Sequence, residues 1–153
     1  MANHPDIDRI LQANRYLVLG TVDSDGRPWV TPVFFAQLSQ DSLCWVSSPD
    51  SRHSRNIETR ATIAITVFDS SVAVGMAEAA YFDANAARAT SAQLDAALQS
   101  MNSRLPHEKA LSIEDLLPHG PLAVYRADLQ HRYILVRGGD PEHGNTHDMR
   151  LET

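Results

Sequence analysis

Residues 16–35 restrict the fold more than any other stretch of the chain. Tyr16 to Val22 is β-rich, Asp23 to Arg27 is a polar turn containing a glycine, and Trp29 to Phe35 is a second β-rich run, so the segment predicts an antiparallel hairpin. The second run is apolar on both faces. Alternation along a strand puts Trp29, Thr31, Val33 and Phe35 on one side and Val30, Pro32 and Phe34 on the other. An antiparallel strand with one face in water should carry polar residues on that face. Two apolar faces therefore call for two burial surfaces. One is the chain's own core, and the other is one of its helices, a partner subunit or a flat ligand. Pro32 has no N–H to give to a neighbouring strand, which places this part of the run at a sheet edge or a bulge.

Further β runs are expected at Leu43 to Ser48, Thr62 to Phe68, Val72 to Phe82, Leu122 to Leu129 and Arg132 to Val136. Helical spacing appears at Asn3 to Asn14, where Pro5 sits near the first turn and Ile7, Ile10 and Leu11 share a face. It recurs at Ser51 to Arg60. It is clearest at Leu94, Ala97, Leu98, Met101 and Leu105, which follow Thr90 and Gln93 at capping-box spacing. Ser112 to Leu117 reads as a short helical turn. Strands following one another through hairpins, with few helices between them, favour an antiparallel sheet or small barrel with added helices over an alternating βαβ sheet. The expected class is mostly β with α, that is α+β.

A chain of 153 residues fills about one domain. Residues 1–138 are assigned to that domain. Residues 139–153, rich in Gly, Asn, Asp and His, are expected to form a poorly ordered polar tail. His143 and His147 in the tail have helical spacing, but Gly144 and Asn145 separate them, so no metal site is assigned there. The single cysteine, Cys44, rules out an internal disulfide and lies in an apolar stretch where it should pack. A net charge of −6 argues against nucleic acid and anionic membrane surfaces as partners. No apolar run approaches the roughly 20 residues of a membrane span. Met1 to Arg15 is too polar for a secretory signal, so a cytoplasmic protein is expected.

Against this acidic background, Ser47-Ser48-Pro49-Asp50-Ser51-Arg52-His53-Ser54-Arg55-Asn56 runs the other way. Asp50 or Ser51 can cap a helix, yet Arg52, His53 and Arg55 then fall in its first turn, where the macrodipole disfavours cations. An anion would resolve the conflict. Helix N–H groups, the Ser51 hydroxyl and a guanidinium fork are the groups that hold a phosphate. The alternative is a solvated helix end paired to nearby carboxylates. No other constellation competes. The chain has no Gly-x-Ser-x-Gly elbow, no Walker loop and no dinucleotide-binding glycine fingerprint. His107, His119 and His131 are scattered through turns and strand starts, and Tyr81, Tyr125 and Tyr133 read as core or rim aromatics.

Three motifs in order, residues 19–33 (Leu-Gly-Thr-Val-Asp-Ser-Asp-Gly-Arg-Pro-Trp-Val-Thr-Pro-Val), 48–57 (Ser-Pro-Asp-Ser-Arg-His-Ser-Arg-Asn-Ile) and 62–69 (Thr-Ile-Ala-Ile-Thr-Val-Phe-Asp), resemble the pyridoxamine 5′-phosphate oxidase-like family. The resemblance covers Arg9 to Phe82 well and the remainder weakly. It implies a homodimer of six-stranded split β-barrels with flavin sites at the subunit interface. The family's strand against the flavin ring corresponds to Trp29, Val30, Thr31, Pro32 and Val33. The hydroxyl-bearing end of its next strand corresponds to Ser47 and Ser48. Its phosphate-binding Ser-Arg-Lys corresponds to Ser51, Arg52 and His53, with histidine in place of lysine, and Arg55 adds a further cation. Thr31 stands where the vitamin oxidases carry an arginine. Those oxidases close with Arg-Leu-x-Pro, whereas this chain ends Arg150-Leu-Glu-Thr153, so oxidation of pyridoxamine phosphate itself is not implied.

The implied activity is flavin- or deazaflavin-dependent oxidoreduction. The cofactor would be FMN, or alternatively coenzyme F-420, and hydride would pass to or from an unidentified small molecule. The alternative is a flavin or deazaflavin binding, storage or sensing protein without turnover. Neither a catalytic residue nor the electron donor is legible in the sequence.

Overall fold

The computed structural model describes residues 4–153, so Met1 to Asn3, including the first residue of the expected N-terminal helix, lie outside it. Helix α1 (Pro5–Ala13) leads into strands β1 (Tyr16–Val22), β2 (Pro28–Ser39) and β3 (Ser42–Ser47). Helix α2 (Arg52–Thr59) follows, then β4 (Thr62–Phe68), β5 (Ala79–Arg88) and helix α3 (Leu94–Asn102). Two strands, β6 (Ala123–Val136) and β7 (Met149–Glu152), complete the chain. Neighbours run β3-β2-β1-β4-β5-β6, all antiparallel, and β3 also pairs with β6, which closes a six-stranded barrel. β7 lies outside the barrel, paired to the far end of β6. No helix is long and apolar enough to cross a membrane among the described residues.

The inward residues of each strand fill the barrel. Leu17 and Leu19, Val33 and Phe35, Leu43 and Trp45, and Ile63, Ile65 and Val67 are all buried there. β5 turns mostly alanine inward (Ala80, Ala84 and Ala86) opposite the large Trp45 and Tyr125, whose rings stack with centroids 6.1 Å apart. α1 adds Ile7, Ile10 and Leu11 to this core, and α2 adds Ile57. A second, smaller core lies outside the barrel, where α3 lays Ala97 and Met101 over Ala36, Cys44 and Val124. Cys44 is buried there and unpaired, and burial pushes its thiol up to about 12, which fits packing rather than reactivity.

Two arginines staple the periphery. Arg104, just beyond α3, donates to the carbonyls of Leu11 and Asn14 and so caps the C-terminus of α1. Arg132 on β6 is only 2% exposed and pairs with Asp41 and the Gln40 carbonyl, tying the β2–β3 turn to β6.

The expected α+β class and six-stranded antiparallel barrel are those observed, and several boundaries differ. The strand expected at Val72 to Phe82 runs Ala79–Arg88, because residues 69–78 form the turn that brings the chain back from β4. The two closing strands expected at 122–129 and 132–136 are one strand, β6. A bulge at Gln130 lets Asp83 face His131 and Ala84 face Leu129, and this kink is the polar interruption visible in the sequence. The tail expected to be poorly ordered returns at Met149–Glu152 to pair with Tyr133 to Val136. Its turn is held by Asn145, whose side chain donates to the carbonyls of Arg137 and His147.

The inward and outward sides of β1 should respond differently to truncation. Leu19→Ala, in the closed interior, is expected to destabilise the protein by about 2–5 kcal/mol, and Val22→Ala, on the outward side at the end of the strand, by less than about 1 kcal/mol. Denaturant unfolding of the two variants measures the difference.

Candidate functional site

β2 parts from β3 beyond the pair Phe35–Trp45, while it stays with β1 along its whole first half, from Pro28 opposite Val22 to Phe34 opposite Tyr16. The segment Pro28 to Phe34 therefore has a strand on one side only, and Pro32, which cannot donate, lies on this free edge. The outward face of β2 divides in two. Phe34, Ala36 and Leu38 lie beneath α3, whereas Pro32 is exposed and Val30 is 62% exposed. A helix thus supplies the second burial surface for half of the strand, and nothing among the described residues covers the other half. Thr31 points inward, half-buried, opposite Leu19.

The uncovered half is continuous with an apolar face formed by Val18 and Gly20 of β1 and Ala64 of β4, ending at Thr66 and Tyr81. These residues line a shallow cavity of about 380 Å³. Arg150 of β7 closes its far side, with the guanidinium 4.1 Å from the Tyr81 ring centre.

Beside the free edge, β3 ends at Ser47 and the chain turns through Ser48 to the start of α2. Ser51 caps the helix in extended conformation, accepting from the Ser54 N–H at 3.4 Å. Its Oγ is 2.8 Å from the Ser48 carbonyl and 2.7 Å from the Ser54 hydroxyl. His53 reaches back across the turn, with Nε2 2.8 Å from Ser47 Oγ and 3.2 Å from Ser51 Oγ. Ser47 and Ser54 are buried. Burial also holds the imidazole below its ordinary pKa.

Arg52 lies with its guanidinium carbon 4.4 Å from the centre of the Trp29 ring, and its Nη2 is 3.5 Å from Asp23 Oδ2. The hairpin turn places that carboxylate. Asp23 Oδ1 accepts from the N–H groups of Asp25 and Arg27 at 3.0 and 2.9 Å, and Gly26 takes a φ of +82° that other residues rarely adopt. The Arg27 backbone bond is the main reason why Asp23 stays below the usual carboxylate range, with Arg52 a lesser one. Arg55, one turn further along, is exposed and its side chain makes no hydrogen bond or ion pair among the described residues.

The structure thus brings the sequence candidates into two groups, Trp29 with Arg52, and Ser47, Ser48 and Ser51 with His53. Val30 and Pro32 provide an open apolar edge, and Arg55 stands apart. Asp23, read from the sequence only as a turn residue, is a partner of Arg52 that the pattern did not reveal. A further cluster went unnoticed. A cavity of about 650 Å³ between β2 and the segment after α3 is lined by Arg15, Arg104 and Lys109 together with Tyr16, Phe34 and Leu122. Arg15 comes from just before β1 and Arg104 and Lys109 from the segment after α3, so no single local run of charge announces them. The cavity adjoins the free edge through Phe34, two residues from Pro32, and through Val46, next to Ser47.

Comparison with known proteins places this geometry. The family model for pyridoxamine 5′-phosphate oxidase matches residues 4–133. A search of curated proteins finds no match. Among solved structures, the chain is similar to HutZ, a heme storage protein from Vibrio cholerae, with 25% identity and a TM-score of 0.71 over 88% of this chain and 95% of that one. It is also similar in fold to a heme-binding protein from Mycobacterium smegmatis, with 15% identity and a TM-score of 0.69 over 99% of this chain and 60% of that one. A third is a 5-nitroimidazole antibiotic resistance protein from Bacteroides thetaiotaomicron, described as putative, with 15% identity and a TM-score of 0.68 over 86% and 82% of the two chains.

The buried imidazole gives the unliganded protein a pH signature. Because the folded pKa of His53 lies below the 6.5 of a free histidine, the unfolded chain binds more protons as the pH drops, and stability falls through and below pH 6.5. The carboxylates Asp23, Asp69, Glu78, Asp115 and Asp140 are held below their ordinary range, away from this window. The thermal midpoint of the wild type should therefore drop between pH 7 and 5.5, and His53→Gln should flatten that drop when both are followed by circular dichroism.

Proposed function

Because the chain belongs to the pyridoxamine 5′-phosphate oxidase family, we propose that it is a homodimeric binding protein for a flat, anionic redox cofactor, FMN before others, and that it holds this cofactor without turnover. The uncovered half of β2 carries the reading. Val30 and Pro32 offer an apolar edge beside Trp29, with Arg52 at one end of it and Arg55 one turn further along α2. A planar ring against the edge and an anionic tail against the arginines would satisfy both features. Among the described residues Arg52 has one long contact to a carboxylate and Arg55 has none, so their charge is available to a ligand. The hydroxyls of Ser47, Ser48 and Ser51 add hydrogen-bonding capacity, and backbone groups of Val30 to Pro32 on the unpaired edge can meet a ring. A second copy of the chain, packed on the open face of Val18, Gly20, Val30 and Ala64, would cover the ring's other side.

When bound, such a group supplies its own redox chemistry, and the protein supplies position and exclusion of water. Binding is preferred to catalysis on two grounds. The imidazole at the site is committed to two hydroxyls, and among the described residues Arg52 pairs with no carboxylate other than Asp23. In addition, the similar HutZ is named for heme storage. Coenzyme F-420 and heme share the chemistry of a flat ring with an anionic tail and are the competing occupants. Oxidoreduction of a small molecule is the second reading. The adjoining 650 Å³ cavity favours it, since Arg15 and Lys109 there could receive a small anionic substrate.

Parallel fluorescence and absorbance titrations with FMN, coenzyme F-420 and hemin, alongside light scattering, test the proposal. A dimer that binds one of them is expected, with Arg52→Ala weakening the bound ligand by about 1.5–3 kcal/mol, roughly 10- to 100-fold. A monomer, or no binding of any of the three, overturns it. Steady turnover with a nicotinamide donor and an added acceptor would replace it by the second reading.

A further inference from the structure

Two arginines and one imidazole stand where the anionic tail is proposed to lie, and only the imidazole can change charge near neutral pH. His53 is not free to swing. Its Nε2 is held 2.8 Å from Ser47 Oγ and 3.2 Å from Ser51 Oγ, with Ser47 on the barrel and Ser51 capping α2. As a neutral ring it has one donor nitrogen and one acceptor, whereas as a cation it donates from both and adds a full positive charge.

We propose that His53 is a specificity-determining residue that makes the grip on phosphate proton-dependent. Binding of a phosphorylated ring draws a proton onto the imidazole, and the preference for that ring over its unphosphorylated form grows as the pH falls. The inference rests on the reading above, in which the phosphate of FMN lies against this cluster.

The surroundings leave the ring free to respond. On its own helix the neighbouring charges are Arg52, Arg55 and Glu58, and Asp50 lies in the turn before it. Among the strands packed against α2, β2 carries no ionisable side chain, β1 carries only the Tyr16 phenol, and β5 carries Tyr81, Asp83 and Arg88. β3, which brings Ser47, has only the Cys44 thiol. Asp23 is engaged by Arg52. None of these charges sets the resting state of the ring. Burial alone lowers its pKa, which favours the neutral ring and leaves it a charge to gain. A phosphate placed within a few ångströms favours the imidazolium strongly. Proton uptake on binding then raises affinity as the pH falls between the bound-state and free-state pKa values, by at most tenfold per pH unit for one proton.

Arginines alone predict the opposite sign. Their charge is fixed, while the phosphate loses its second charge near pH 6, so their attraction for it weakens on acidification.

FMN and riboflavin share one ring and differ by the phosphate, so the ratio of their affinities isolates the phosphate grip. Fluorescence-quenching titrations of the full chain at pH 5.5, 6.5 and 7.5 should show this ratio rising several-fold toward low pH in the wild type. In His53→Gln the ratio should stay level or fall. In His53→Lys, where the cation is permanent, it should be high at pH 7.5 and fall on acidification. The C2–H resonance of His53 should titrate at higher pH with FMN bound than without it, a readout independent of whether either variant folds. A wild-type ratio that favours FMN but follows the profile of His53→Gln, with an unmoved resonance, overturns the proton coupling and leaves the binding reading standing. Equal affinity for FMN and riboflavin at every pH, or binding of neither, overturns both.

Discussion

Pairing of β3 with β6, from Ser42 opposite Asp128 to Ser47 opposite Ala123, closes the sheet on itself. A closed barrel has no edge strands along its wall, and its interior must be filled by side chains alternating inward from every strand. Closure also commits β3. Its six residues turn toward β6 on one side, and on the other they meet only the second half of β2, from Phe35 onward. The first half of β2 therefore leaves the wall with β1 alone. The free edge at Pro28 to Phe34, the abrupt end of β3 at Ser47 and the start of α2 just beyond it are three consequences of that one divergence. The candidate site lies where they meet.

The electrostatics of this corner follow from the same geometry. α2 starts next to the β1–β2 turn, so Arg52 enters the first turn of a helix within reach of Asp23. The cation is opposed by the macrodipole and supported by a long contact to a partly exposed carboxylate and by the Trp29 ring. Such exposed pairs typically contribute less than about 1 kcal/mol. Asp23 is itself held in place by two backbone N–H groups of its turn, both on Oδ1, whether or not Arg52 is present at Oδ2. The carboxylate is thus a weak competitor for the guanidinium, and an incoming anion would need to displace only one 3.5 Å contact.

Much of this was legible in the sequence because it is local. The hairpin followed from Tyr16 to Phe35 and the α3 stripe from Leu94 to Leu105, of which Leu105 lies just beyond the helix, while the residue types before α2 narrowed its cap to Asp50 or Ser51, and the structure uses Ser51. The two-sided apolar character of β2 correctly required a second burial surface. Sequence alone could not assign Phe34 to α3 and leave Val30 bare, since that depends on where β3 turns away. Arg132 shows the same limit. In sequence it is a polar residue at the start of a strand, and in the fold it is buried against the β2–β3 turn some ninety residues earlier. The final strand was invisible for a related reason. Met149 to Glu152 alternates too briefly to signal a strand, and it becomes one only because the end of β6, beyond the reach of β3, offers an unpaired side. Arg15, Arg104 and Lys109 converge on a cavity that no spacing rule connects.

The contrast between the two cationic regions bears on what each can do. Arg104 is half-buried and spends its donors on the carbonyls of Leu11 and Asn14, and burial followed by repulsion from Arg15 pushes its pKa down. Removing that guanidinium would uncap α1, so its first task is structural. Arg52 caps no helix, the Arg55 side chain makes no hydrogen bond or ion pair among the described residues, and α2 is anchored instead by Ile57 in the core and by Asn56, which donates to Thr21 Oγ1 at 3.0 Å. The fold thus keeps the fixed charges at the start of α2 outside its own stability requirements. Charge held in that way, next to an apolar edge that no described residue covers, is free to be spent on a ligand, whereas the charge at Arg104 is not.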